Sequence, residues 1–133
     1  KLFAQVEMAK YFHAKKRSAA ARACAQRCQA MLDPRRSADD VAVISIAIAM
    51  IFRSIGDDQR MQQTIAKLLA TPSVQASKQA RQIIVGELIE MDLLAEAYQT
   101  TLTFDSLADR AIPLARIAAK AAEQSKMNNA IRN

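Results

Sequence analysis

Three side chains near the start of the chain could hold a soft metal: Cys24 and Cys28, four residues apart, and His13, the single histidine. A closed zinc site takes four nitrogen or sulfur ligands, so this set is one short. On a helix the two cysteines share a face with Ala21, Ala25 and Leu32, which is where small core hydrophobes sit. The sequence therefore predicts two packed thiols and no bound metal. Two cysteines also give no disulfide framework, which favours a reducing compartment, and a cytoplasmic setting is expected. Nothing places a serine or cysteine nucleophile beside His13, so a histidine-based triad is unsupported. No glycine-rich loop is present to cradle phosphates. No catalytic residue and no cofactor are expected.

Charged residues are the other candidates. Glu87, Glu90, Asp92 and Glu96 form an acidic group, but acid–base work needs a pocket that separates two carboxyl pKa values, and these flank a turn. Asp39-Asp40 and Asp57-Asp58 stand a helix length apart, where helix N-caps belong, so capping is expected rather than metal binding. The basic residues are unevenly spread. Residues 1–36 carry nine Lys and Arg against two acids, a net of +7, whereas the other 97 residues carry ten against eleven, a net of −1. Lys15, Lys16, Arg17, Arg22, Arg27, Arg35 and Arg36 make a patch that could contact phosphates. Its two ends lie roughly 20 Å apart at 1.5 Å per helical residue. No recognised nucleic-acid motif accompanies it, and Tyr11, Phe12 and His13 are the only nearby rings.

The elements that carry these residues read as helices throughout. Two glycines and three prolines are too few breakers for a sandwich or barrel, and Ala, Leu, Gln, Lys and Arg favour helix. The longest apolar run, residues 41–52 (VAVISIAIAMIF), is twelve residues including one serine. A membrane span needs about 20, so a buried core helix is expected and no membrane insertion. About seven helices are predicted, over 2–15, 18–33, 39–55, 58–70, 73–91, 92–104 and 106–124. Inward stripes are expected at Ala21, Cys24, Ala25, Cys28, Met31 and Leu32, at Met61, Ile65, Leu68 and Leu69, at Ala76, Ala80, Ile83, Ile84, Leu88 and Met91, and at Ala111, Leu114, Ala115 and Ala118. Asp92 is read as the start of the sixth helix. Gly86 inside the fifth is expected to allow close approach of a neighbour, and Pro113 to kink or restart the seventh. A single domain over 1–124 is expected, as pairs 2–33, 38–70 and 73–104 with a closing helix at 106–124, and 125–133 is read as a frayed tail. The chain begins at Lys1 within an amphipathic pattern, and this is read as a piece of a longer or processed protein.

Like elements recur at a near-constant spacing. First helices of the pairs are predicted to begin near 2, 39, 73 and 106, and second helices near 18, 58 and 92. A period close to 34 residues in helix pairs resembles the tetratricopeptide repeat. Pro34 and Pro72 match the proline that closes a repeat, Ala97 matches an early alanine of a second helix, and Leu88 and Phe104 fall at other apolar positions. Asp105 replaces the closing proline of the third unit, Gly86 is one residue off the small position, the tryptophan is absent, and Arg60 or Met61 stands where alanine belongs in the second unit. The resemblance is to a divergent, TPR-like domain, with a compact helical bundle as the alternative.

That resemblance implies an all-α fold of antiparallel helix pairs stacked as a short right-handed α-solenoid. It also implies a non-catalytic protein–protein interaction or scaffolding module, holding a peptide or helix in a concave groove formed mainly by the first helices of the pairs. Gln5, Lys10, Arg53, Lys78, Arg81 and Gln82 would line that groove. The alternative function is a nucleic-acid-binding module using the basic first helix pair, and exposed repeat ends would permit a homo-oligomer.

Overall fold

In a computed structural model, residues 4–8, 18–30, 32–33 and 35–132 are described, and all their regular structure is helical. Eight helical segments follow in order: α1 (4–8), α2 (Ser18–Ala30), α3 (Ala38–Ser54), α4 (Asp58–Leu69), α5 (Pro72–Gln75), α6 (Lys78–Glu90), α7 (Leu94–Thr101) and α8 (Leu107–Arg132). The residues expected to form one domain divide into two compact units, Lys1–Ala80 and Arg81–Asn133. Among the described residues no helix is long and apolar enough to cross a membrane.

The first unit is organised by α3. Ser37 caps it, its hydroxyl accepting from the Asp40 backbone N–H at 3.1 Å, and Asp39 and Asp40 lie in the first turn, where the helix dipole favours negative charge. Val41, Ala42, Ile44, Ser45, Ile46, Ile48, Ala49, Ile51 and Phe52 are all buried. This near-complete burial is what an apolar run without a polar face requires, and α2, α4 and α5 all pack on it. Helix α2 buries Ala21, Ala25 and Cys28, with Cys24 and Leu32 half-buried; Met31 lies outside the described residues. At the C-terminal end of α3, Gly56 adopts φ +80°. Its N–H reaches Arg53 O at 3.0 Å and the Asp57 N–H reaches Phe52 O at 2.8 Å, the paired bonds of a Schellman ending. Asp57 then caps α4 by accepting from Arg60 N–H at 3.2 Å. Helix α4 buries Met61, Thr64, Ile65 and Leu68, with Leu69 half-buried.

The single helix expected over 73–91 is broken. Pro72 starts the one-turn α5, which buries Val74, and Ser77 then accepts from Ala80 N–H at 3.1 Å to cap α6. A serine hydroxyl offers the backbone an alternative to the helical bond, so apolar periodicity alone could not place this break. Helix α6 buries Ala80, Ile84, Val85, Leu88 and Ile89, and Met91 after it; Ile83 is half-buried and Ala76 exposed.

In the second unit Asp92 ends α6 rather than starting α7. It has φ +59°, its N–H bonds to Ile89 O at 3.0 Å and the Leu93 N–H bonds to Leu88 O at 2.9 Å, which is again a Schellman ending. Aspartate tolerates the left-handed region better than most residues, and this is why it can occupy a position usually given to glycine. Helix α7 packs against α8. Ser106 caps α8, accepting from Asp109 N–H at 3.0 Å. Helix α8 runs unbroken through Pro113 and on to Arg132, taking in residues read as a frayed tail, because no further breaker follows the proline. Its inward side also differs from expectation: Ala111, Ala115 and Ala118 are exposed, whereas Arg110, Pro113, Leu114, Ile117, Lys120 and Gln124 are half-buried. Long basic side chains cover apolar surface with their stems while keeping their charges wet.

Candidate functional site

The sulfur pair is structural in its surroundings. Cys28 is fully buried, with Sγ 3.8 Å from Gln5 Oε1, and Cys24 is half-buried; the two thiols form no disulfide. Burial pushes the Cys28 thiol above its ordinary range and the neighbouring Cys24 adds to this, against a smaller opposing pull from Arg27. Such a thiol is a poor nucleophile and a poor metal ligand at neutral pH. Among the described residues no three His, Cys, Asp or Glu side chains group as metal ligands, and His13 lies outside them.

The acidic group is dispersed into other tasks. Glu90 pairs with Arg116 Nη2 at 3.1 Å, and Asp92 is taken up by the turn that ends α6. In the basic patch, Lys15, Lys16 and Arg17 lie outside the described residues. Arg22 Nε approaches Asp57 Oδ2 at 3.4 Å, an ion pair by distance without hydrogen-bond alignment. Arg35 holds Asp33 twice, through its backbone N–H at 2.8 Å and its Nε at 3.3 Å, which keeps the Asp33 carboxyl below the usual range. Arg27 and Arg36 are exposed.

The expected groove residues fall in both units and differ in their environment. Lys10 lies outside the described residues. In the first unit Gln5 is half-buried beside Cys28, while Arg53 and Lys78 are exposed. In the second, Gln82 is exposed. Arg81 is committed elsewhere: its Nη1 donates to Thr103 O at 2.9 Å and to Thr103 Oγ1 at 3.0 Å, and its guanidinium lies 5.5 Å from the centre of the buried Phe104 ring. Arg110 completes the arrangement, donating from Nε to Phe104 O at 2.7 Å and from Nη2 to Leu102 O at 3.2 Å. Two arginines thus take three consecutive carbonyls where α7 ends and no helical N–H remains for them. The sequence held no signal for this, because the partners of Arg81 lie 22 residues away.

Two surfaces were not anticipated. One is a groove in the first unit: α2 and α4 both pack on α3, yet their backbones do not touch. Between them two adjoining cavities of about 310 and 410 Å³ share Gln29, Thr64 and Lys67 in their linings. The other is α8, which has no fully buried residue and leaves Leu107, Ile112, Met127 and Ile131 exposed.

Comparison with known proteins identifies no relative. The chain matches no protein-family model, no curated protein and no solved structure.

Proposed function

We propose that the chain is a non-catalytic protein–protein interaction module, a short right-handed α-solenoid of tetratricopeptide type that holds a peptide or helix against the first helices of its pairs. Helix spacing carries this reading. With the single turn α5 taken as the start of the third pair, α3, α5 and α8 begin at residues 38, 72 and 107, intervals of 34 and 35. The second helices α2, α4 and α7 begin at 18, 58 and 94, intervals of 40 and 36. Packing of α3 on both α2 and α4 supports it further, since each repeat must bury its apolar side against its neighbours.

On this reading Gln5, Lys10, Arg53, Lys78 and Gln82 contact the partner, and Arg81 supports the fold. The test is the double substitution Arg53→Ala with Lys78→Ala, chosen because both residues are exposed. Affinity for a protein partner captured by the full chain should fall about tenfold, the loss of about 1.4 kcal/mol. Unchanged affinity overturns the groove assignment.

A second copy of the chain is a further partner, favoured by the exposed apolar side chains of α8. Light scattering at two protein concentrations tests it. The nucleic-acid reading has weaker support, because Arg22 and Arg35 already face carboxylates.

A further inference from the structure

The groove between α2 and α4 lies on the opposite helices from those assigned to the partner above, within the first unit alone, and its lining points to a different ligand. Its floor is α3, with Phe52 at one end and Ser45 and Val41 towards the other. Gln26 and Gln29 form one wall, and Gln63, Thr64 and Lys67 the other. From this lining we infer that the groove binds an extended acidic peptide.

Three observations converge on that ligand. The first is hydrogen-bonding capacity. Each glutamine amide offers donors and an acceptor together, and a peptide's main chain needs both kinds of partner when it leaves water. An apolar helix laid in the same place satisfies its own main chain and would strand the three amides. The second is length. From Arg60 to Leu68 the α4 wall rises about 12 Å at 1.5 Å per residue, which matches about four residues of extended chain. The third is charge. Arg60 and Lys67 line the groove. Beside its Phe52 end Arg22 and Arg60 share one carboxylate, Asp57 Oδ2, at 3.4 and 3.6 Å. Asp33, at the opposite end, is already held by Arg35. The three cations against one shared carboxylate leave a positive balance, complementary to Asp or Glu side chains. Single-stranded nucleic acid would also be drawn to that charge, but it binds by stacking bases on aromatic rings. Among the described residues Phe52 is the one ring in the lining, and it is fully buried under the Arg60 guanidinium at 6.0 Å.

The test is selection from a random short-peptide library displayed on phage, with the full chain as bait, followed by fluorescence anisotropy of the selected peptides. The expected result is enrichment of Asp and Glu without helical periodicity. Binding should weaken about tenfold in Lys67→Glu, equivalent to about 1.4 kcal/mol, and should also fall in Gln29→Ala and Gln63→Ala. Lys67 and Gln63 are exposed and Gln29 is half-buried, and circular dichroism melts should confirm that the variants stay folded. The same peptides should bind Arg53→Ala/Lys78→Ala as tightly as the parent chain, which separates this groove from the surface proposed above. Failure to select peptides, selection without acidic enrichment, affinity indifferent to Lys67→Glu, or tighter binding of a single-stranded RNA oligomer at the same residues would each overturn the inference.

Discussion

Replacing Arg81 with alanine separates a structural arginine from a binding one. In the folded chain its guanidinium donates to Thr103 O at 2.9 Å and Thr103 Oγ1 at 3.0 Å, and lies 5.5 Å from the Phe104 ring. A hydrogen bond from a charged donor contributes about 1.5–3 kcal/mol. The lower end applies here, because Thr103 is exposed and water replaces the lost donor. A cation over an aromatic ring at a partly exposed site adds about 0.5–1 kcal/mol. The expected loss in Arg81→Ala is therefore about 2 kcal/mol, or a fall in Tm of about 5–10 °C for a chain of this size. Arg81→Lys keeps the charge but not the planar fork, and should recover about half of that. Thr103→Val removes one acceptor and should cost less than Arg81→Ala. Thermal and urea unfolding followed by circular dichroism measure all three. A Tm for Arg81→Ala within about 2 °C of the parent, outside the range expected, would refute the clamp and return Arg81 to the list of binding candidates.

Three further outcomes follow from the same kind of argument. Gly86→Ala should stabilise the chain by about 0.5–1 kcal/mol, since an added Cβ would meet only Arg116 Nη1 at 3.8 Å and glycine is costly within a helix; a lower urea midpoint would show that space is tighter than the geometry indicates. Asp92→Gly should also stabilise, by about 1 kcal/mol, because it relieves a left-handed backbone at φ +59°, and a loss of stability would mean that the Asp92 side chain contributes more than its strain costs. For the cysteines, mass spectrometry after brief alkylation should find Cys24 modified before Cys28, given their burial and the raised Cys28 pKa. A raised folded-state pKa gives stability that is present below the ordinary thiol range and lost as pH rises through the folded value, so Cys28→Ala should lessen alkaline destabilisation; equal alkaline loss in both proteins would contradict this.

Helices were readable wherever one local rule acted alone. The α3 run is apolar on nearly every side, and burial was the only arrangement open to it. Asp57 caps α4 as its place before an apolar stripe predicts, because a cap is a contact between residues three apart. Where two rules competed the reading failed. Ser77 interrupts an apolar period that continues past it, and Asp92 fits an N-cap by composition while its backbone ends the preceding helix. Gly86 was expected to admit a neighbouring helix, yet among the described residues the nearest approach to an added Cβ is Arg116 Nη1 at 3.8 Å. Along α8, alanines at 111, 115 and 118 form a regular stripe, but alanine has too little surface to fix which side of a helix turns inward. Leu114, Ile117 and the stems of Arg110 and Lys120 do so instead.

Site residues were legible only as types. That the patch around Arg22 and Arg35 meets Asp57 and Asp33, and that Arg81 reaches Thr103, depends on which elements come together. The α2–α4 groove arises from two helices sharing a third without touching each other, and no periodicity within one helix encodes that spacing.

The central claim, that the chain binds another protein through the first helices of its pairs, is tested most directly by capture from lysate with and without nuclease at low and moderate salt. The captured protein is then titrated against the parent chain and Arg53→Ala/Lys78→Ala. The account predicts a discrete protein partner that survives nuclease and salt and binds the double variant about tenfold more weakly. Capture that vanishes with nuclease and falls steeply with salt would contradict it and move the function to the basic residues between Lys15 and Arg36.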